Sequence, residues 1–167
     1  MKENSLTNLL FEQFKFRVFE ESIPRIENCL DRLSTEQIWY KPNENSNSIG
    51  NLILHLEGNV RQWILTGLYQ MKETRNRPLE FNSTEKKEAE WLKAHLKKLK
   101  NDINGCITNK PLPDLRLTNS VQGFQENGVS ILTHVIEHFS YHTGQIALLS
   151  KILVNEDLGF YENIKLH

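Results

Sequence analysis

Hydrophobic residues recur at three- and four-residue steps through most of the chain, which is the spacing of one face of an α-helix. Four such stretches predict helices near residues 5–33, 48–69, 83–103 and 130–153. No stretch alternates convincingly between apolar and polar residues as a strand does. Helices with one apolar stripe each can bury those stripes only against one another. The pattern therefore predicts an all-α four-helix bundle that forms a single domain over residues 1–167.

Single residues indicate where the first two helices break or begin. Pro24 lies inside the first stretch and lacks a backbone donor, so we expect a kink or break near Glu21–Ser22. Ser46 or Ser48 can cap the second helix, because a hydroxyl oxygen there accepts a free N–H of the first turn.

The bounds of the third helix rest on weaker signals. Asn82 and Glu85 have the spacing of a capping box, although asparagine in place of serine or threonine weakens the match. The pair Asn104–Gly105 is expected to end this helix. The longest connection then runs over residues 104–129, and we expect it to cross the bundle.

The first and third helices carry the argument for assembly. The predicted buried stripe of the first helix is Leu9, Phe16, Phe19, Ile23, Ile26, Leu30 and Leu33. Phe11, Phe14 and Val18 fall off that stripe, and Trp91 falls off the stripe of the third helix. Together they would expose apolar surface on a monomer, so we expect a two-fold homodimer.

Composition narrows the class of protein. Hydrophobic residues make up 38% of the chain and charged residues 25%, which is typical of a soluble globular protein. A formal net charge of −1 gives no reason to expect binding to nucleic acid or to an anionic membrane. The two cysteines, Cys29 and Cys106, do not suggest a disulfide framework. Without an apolar signal core or a long apolar run, we expect a cytoplasmic protein.

Three of the six histidines lie at four-residue spacing in the fourth helix: His134, His138 and His142. Residues four apart share one helix face, so two of these rings can point at the same spot. His55 lies on the inward face of the second helix. Neutral imidazole is a common ligand of transition metals, and three protein ligands with one open position are typical of catalytic zinc. The histidines therefore predict a divalent metal site in the bundle.

His134 and His142 are separated by about 12 Å along the helix axis, so they cannot easily bind one ion together. His138 can pair with either. The position of Gly144–Gln145 favours His142, because Gln145 can reach back to it as a hydrogen-bond partner. His134 then contacts a metal ligand without binding the metal, lies at the edge of a pocket, or is simply a core histidine.

Asn59, one turn after His55, is a further candidate partner of the metal ligands. Helix–helix hydrogen bonding is an equal alternative for Asn59 and Gln145. His95 and His167 are expected to have ordinary structural roles.

Several better-defined catalytic motifs are absent from the sequence. The stretch from His138 to His142 lacks the glutamate of the metalloprotease motif HExxH. No histidine follows a glutamate by three residues, as in ferritin-like di-iron bundles. There is also no glycine-rich phosphate loop and no nucleophile elbow.

Residues 46–59 and 138–146 together resemble the DinB-like (DNA-damage-inducible) superfamily. The Arg-x-Arg-Pro-x-Glu-Phe stretch over residues 75–81 is similar to a branch of uncharacterised small bacterial proteins. The resemblance implies a four-helix bundle in up-down-down-up order with a long crossover, often as a homodimer. It also implies one divalent metal, commonly zinc or nickel, on His55, His138 and His142.

The resemblance leaves two functions open. Some relatives act on low-molecular-weight thiols, which implies a metal-dependent thiol transferase or hydrolase with a small-molecule substrate. Arg75 and Arg77 could then attract an anionic thiol, or they could lie in an ordinary solvated loop. The alternative is a non-catalytic, metal-binding stress-response protein in which the metal joins the second and fourth helices.

Overall fold

A computed structural model describes residues 6–82 and 85–162. Helix α1 consists of Leu6–Lys15, the π-helical segment Phe16–Ser22 and Ile23–Leu30, which follow one another directly. The short helix α2 is Thr35–Ile38, and α3 joins Ile49–Val60 to the π-helical segment Arg61–Leu68. The remaining elements are α4 (Arg77–Asn82), α5 (Ala89–Asn109), strands β1 (Thr118–Val121) and β2 (Phe124–Asn127), and α6 (Gly128–Val154).

The second and fourth predicted helices are confirmed as α3 and α6. Of the two candidate caps, Ser48 begins α3: its Oγ accepts from the backbone N–H of Asn51 at 3.1 Å. Asn51 Oδ1 accepts in return from the backbone N–H of Ser48 at 3.3 Å, which completes a capping box. Asn127 caps α6 in the same way, through a hydrogen bond from the backbone N–H of Ser130. These caps set where two helices begin: α3, which carries His55, and α6, which carries His134, His138 and His142.

The predicted buried face of the first helix is wrong at its N-terminal end. Phe11, Phe14 and Val18 are buried in the core, whereas Leu9 and Phe16 are 44% and 50% exposed. The π-helical segment is the reason, because its backbone hydrogen bonds span five residues instead of four. The buried positions before the segment therefore do not continue the three- and four-residue spacing of the buried positions after it.

The expected break near Pro24 takes the form of this π-helical segment. The chain stays helical through Ser22, whose Oγ donates to the carbonyl of Arg17 at 2.7 Å. Trp91, the fourth residue of the assembly argument, is partly buried and stacks on His95. The apolar residues expected to form an exposed dimer surface therefore lie largely inside the folded chain.

The third predicted helix begins and ends later than expected. Asn82 is the last residue of α4 and does not cap α5, whose N-cap is Glu88. Gly105 lies inside α5 instead of ending it, and the helix continues to Asn109. Cys106, one turn after the buried Ile103, is itself buried, so packing carries the helix past the glycine.

A β-hairpin lies in the connection between α5 and α6, contrary to the prediction of no strands. Strands β1 and β2 pair antiparallel, with Val121 opposite Phe124. Gln122 and Gly123 both have positive φ, as the two central residues of a type I′ hairpin turn do. Val121 is buried against α3 at Gly67, so the hairpin closes over that helix.

Helix α3 is the element that positions the site. It packs against α4, α5 and α6, while α6 also packs along α1. Ile53 and Leu56 of α3 and Val135 and Phe139 of α6 lie in the shared core and are fully buried or nearly so. Within the described ranges, no helix is long and apolar enough to cross a membrane.

Candidate metal centre

The structure brings together the three histidines that the sequence predicts as ligands. His55 lies on α3, and His138 and His142 lie one turn apart on α6. Each offers one nitrogen, and these three atoms lie within 4.8 Å of one another. The Nε2 atoms of His55 and His138 are 3.1 Å apart. Two imidazole nitrogens bound tetrahedrally to zinc would be about 3.3 Å apart, so the spacing fits a shared cation.

His55 is oriented by a carboxylate that the sequence analysis did not identify. Its ring is buried, and its Nδ1 lies 2.8 Å from Oε2 of Glu80. Arg75 Nη2 also lies 3.1 Å from Nδ1, a longer contact than that of the carboxylate, and Nη2 donates to Oε2 of Glu80 at 2.8 Å. The short carboxylate contact puts the proton on Nδ1, which then donates to Glu80. The Nε2 lone pair is left facing His138, as a metal-binding imidazole requires.

Glu80 is held in turn by Arg75. Arg75 Nε donates to Oε1 at 2.6 Å, and Nη2 donates to Oε2 at 2.8 Å. Burial alone raises the pKa of Glu80, but the hydrogen bonds from Arg75 and His55 lower it below the usual value. The carboxylate therefore remains an ionised acceptor. Arg75 is not a solvated loop residue, whereas Arg77 is exposed and lies over the ring of Phe81.

His138 is partly buried at the centre of the group. Burial lowers its pKa to about 3, with further lowering by the neighbouring His142 and His55. The ring is therefore neutral at physiological pH, the form that binds a cation. Its Nδ1 is buried without a hydrogen-bond partner among residues 6–82 and 85–162. Unlike His55, this histidine has no carboxylate at its Nδ1, and its polar contact is that of Nε2 with His55.

His142 has the partner that the sequence predicts. Its Nδ1 donates to Oε1 of Gln145, one turn further along α6, at 2.6 Å. Gln145 Nε2 donates to the hydroxyl oxygen of Tyr141 at 3.0 Å, which fixes the amide. Burial lowers the pKa of His142, although the hydrogen bond to Gln145 opposes the shift. With its proton on Nδ1, the ring has an unprotonated Nε2 whose lone pair is available to a metal.

His134 and Asn59 lie beside the group and are not part of it. The ring of His134 stacks on Trp63 at 3.8 Å, and its Nε2 lies 3.4 Å from Nδ2 of Asn59. Asn59 contacts this histidine and not a predicted ligand. Burial lowers the pKa of His134.

His95 lies away from the group. His95 contacts Glu57 at 3.0 Å and stacks on Trp91. Its ring joins α5 to α3, which is the ordinary structural role expected from the sequence. His167 lies outside the described residues.

The group is closed on one side and open on another. His55 is buried against Glu80, whereas His138 and His142 are partly exposed. Among the described residues, no further histidine, cysteine or carboxylate joins the three. A surface pocket of 360 Å³ lies beside Gln145, and another of 370 Å³ lies beside His134 and Trp63. The arrangement offers a cation three nitrogens, on rings of which two are partly exposed.

Comparison with known proteins agrees with the motifs. Residues 7–162 match the family described as "Protein of unknown function (DUF1572)", so the chain belongs to that family. The crystal structure of a DinB-like protein from Bacillus cereus ATCC 10987 is similar, with a TM-score of 0.66 at 17% identity. The match covers 85% of this chain and 91% of that one. No curated protein sequence matches. The structural match shows that the chain shares the fold of that DinB-like protein.

Proposed function

We propose that this protein binds one divalent transition metal, zinc or nickel, on His55, His138 and His142. We propose further that it is a metal-dependent enzyme of the thiol-transferase or hydrolase type. One observation carries the proposal. In His55 and His142, Nδ1 donates a hydrogen bond to Glu80 and Gln145 respectively, so Nε2 is unprotonated and its lone pair is available to a metal. For the fold we propose the up-down-down-up four-helix bundle, with the connection between α5 and α6 as its crossover.

The three imidazole nitrogens support a metal site in which protein ligands do not fill every coordination position. Three neutral imidazoles suit zinc, nickel or copper, whereas structural zinc is usually closed by four ligands with thiolates among them. Both cysteines are buried and unpaired, and neither joins the group. A bound divalent cation would lower the pKa of a thiol or water and so supply a nucleophile at neutral pH.

The partly exposed histidines and an exposed cation near His55 support a small-molecule substrate. His138 and His142 are partly exposed, so a ligand can approach them from solvent. Arg77 is an exposed cation that contacts Phe81, whose ring centroid lies 5.0 Å from that of His55. An anionic thiol could use this guanidinium. Arg75 cannot serve in that way, because its side chain is buried and paired with Glu80.

A second function is favoured by where the ligands lie in the chain. His55 and His138 are 83 residues apart and lie on different long helices. A cation between them would tie α3 to α6, so metal binding would add to folding stability. A non-catalytic, metal-binding stress protein is therefore the alternative proposal.

Metal removal separates the two functions. The purified protein is stripped with a chelator, and its melting temperature and its transfer of several low-molecular-weight thiols to an electrophile are measured with and without zinc or nickel. An enzyme loses its activity on stripping, with a small change in melting temperature. A large drop in melting temperature, with no thiol transfer or hydrolysis in either form, would favour the structural role.

We also propose a homodimer, on a surface different from the one expected from the sequence. Tyr141, Leu148 and Ile152 lie along one face of α6 and are each at least 60% exposed. An exposed apolar stripe of this kind is typical of a helix that packs against a partner. Light scattering of the wild type and of Leu148→Glu/Ile152→Glu tests it, with a dimer mass expected for the first and a monomer mass for the second. A monomeric wild type would exclude the dimer.

A further inference from the structure

Arg75 and Glu80 are buried although they lie in a polar segment between α3 and α5. Their side chains are 3% and 8% exposed. Burying one charge is costly, and burying two is tolerable only when they pair with good geometry. Here the guanidinium and the carboxylate meet through two hydrogen bonds, so the pair is locally neutral. A buried neutral pair in a connecting segment calls for a physical explanation.

The atoms around this pair show where it is anchored. Arg75 Nη1 donates to Oε1 of Gln62 on α3 at 2.8 Å. The backbone carbonyl of Glu80 accepts from Nδ2 of Asn51, also on α3, at 2.9 Å. These two contacts attach the segment to α3 without using the Glu80 carboxylate. The carboxylate is therefore free for a role other than attachment, and its Oε2 contacts Nδ1 of His55.

The position of that contact on the ring is informative. Nδ1 faces Glu80, while Nε2 faces His138 on the opposite edge of the imidazole. His55 thus lies between the carboxylate and the space enclosed by the three histidines. Glu80 cannot reach a ligand in that space, but it can decide which nitrogen of His55 carries the proton.

We propose that Arg75 and Glu80 are positioning residues of the metal centre. Glu80 holds the proton of His55 on Nδ1 and so keeps the Nε2 lone pair directed at the cation. Arg75 fixes the orientation of the carboxylate and balances its charge. The inference rests on the proposed metal site, and it assigns a function to two residues of the Arg-x-Arg-Pro-x-Glu-Phe stretch.

The test is the double substitution Arg75→Met/Glu80→Met, which removes both charges at once and leaves no unpaired buried ion. Cobalt(II) is titrated into the metal-free full-length protein, and its visible absorption is followed. We expect affinity about 10- to 100-fold weaker than in the wild type, the usual cost of losing such a partner. The melting temperature of the metal-free protein should stay close to the wild-type value. Arg61→Met, which breaks the ion pairs of Arg61 with Glu57 and Asp102 and removes no partner of the three predicted ligands, should keep wild-type affinity.

A second readout does not depend on metal. Imidazole nitrogen NMR of the metal-free protein should show His55 protonated on Nδ1 in the wild type and a mixture of tautomers in the double variant. If the double variant does not fold, Glu80→Gln keeps the shape and one acceptor, and it should bind cobalt more weakly than the wild type. Wild-type affinity and an unchanged His55 tautomer in the folded variants would overturn the proposal. A wild type that binds no cobalt would instead refute the metal site, while the tautomer would still test the pair.

Discussion

Gly58 of α3 faces the side chain of Glu80 so closely that a Cβ atom at position 58 would collide with the carboxylate. The same atom would lie 3.0 Å from Nε of Arg75. Glycine inside a helix costs about 0.5–1 kcal/mol relative to alanine. At this position it provides the space in which the ion pair reaches His55, one turn earlier on the same helix.

Replacing Gly58 by alanine should therefore disturb the metal centre without removing any charged or ligating group. We expect cobalt(II) affinity to fall by roughly 10-fold, because Glu80 must move away from His55. The free energy of unfolding should fall by about 1–3 kcal/mol through overpacking. Titration and urea unfolding measure the two effects.

Gly105→Ala is the matched control for this substitution. Gly105 also lies inside a helix, but a Cβ there meets nothing within 4 Å. Alanine should stabilise α5 by about 0.5–1 kcal/mol and leave cobalt affinity unchanged. Unaltered cobalt affinity in Gly58→Ala would show that the close approach of Glu80 to His55 is unimportant for binding.

The choice between His134 and His142 is tested by single alanine substitutions and metal analysis. His138→Ala and His142→Ala should each abolish stoichiometric metal, because each removes one of three donors. His134→Ala should keep the metal and lose only the stacking on Trp63. Retained metal in His142→Ala together with loss in His134→Ala would mean that His134, and not His142, binds the metal with His138.

Gln145 should affect metal affinity through its hydrogen bond to His142. Gln145→Met keeps the size of the side chain and removes the acceptor, so cobalt(II) should bind about 10-fold more weakly. Asn59→Ala is the comparison, since this buried amide contacts His134 and not a predicted ligand. Equal losses in both variants would indicate a general loss of packing instead of a specific effect on His142.

Acid should destabilise the metal-free protein through His138. In the unfolded chain this histidine takes up a proton near pH 6.5, whereas burial delays uptake in the folded protein to about pH 3. The unfolded state therefore binds more protons between these values, and stability falls as the pH is lowered through them. The slope is about 1.4 kcal/mol per pH unit for each extra proton.

Urea unfolding of the metal-free protein from pH 7 to pH 4 measures this loss. His138→Leu cannot take up the proton, so its stability should depend less steeply on pH than that of the wild type. Equal slopes in the two proteins would assign the acid sensitivity to other groups.

The grouping of the histidines could be predicted because it depends on regular helices. Four-residue spacing puts His138 and His142 on one face, and the capped start at Ser48 sets the face of α3 that carries His55. Helix period and capping are local properties of a sequence. The contact between His142 and Gln145 could be predicted for the same reason.

Glu80 and Arg75 could not be predicted from local pattern. They lie in and next to a short helix, where no periodicity indicates which side chains are buried. Their burial depends on how the segment packs against α3, including the space that Gly58 leaves. The one available signal is the Arg-x-Arg-Pro-x-Glu-Phe stretch, but the sequence leaves open whether its arginines attract an anionic thiol or lie in an ordinary solvated loop.

The wrong face of α1 and the missed hairpin also have physical causes. A π-helical segment changes the spacing of buried residues, and the residues Phe16–Ser22 contain no pattern that predicts it. The two strands are four residues each and mostly polar, so their alternation is weak. Gln122 and Gly123 are a less distinctive turn pair than asparagine followed by glycine.

The central claim is that His55, His138 and His142 hold one divalent metal. The most direct test is elemental analysis by mass spectrometry of the purified protein, as isolated and after incubation with zinc or nickel and removal of excess. We predict about one equivalent of metal per chain in the wild type, and none above background in folded His55→Ala or His142→Ala. A folded wild type that retains no metal, or equal metal in the wild type and both variants, would contradict the account.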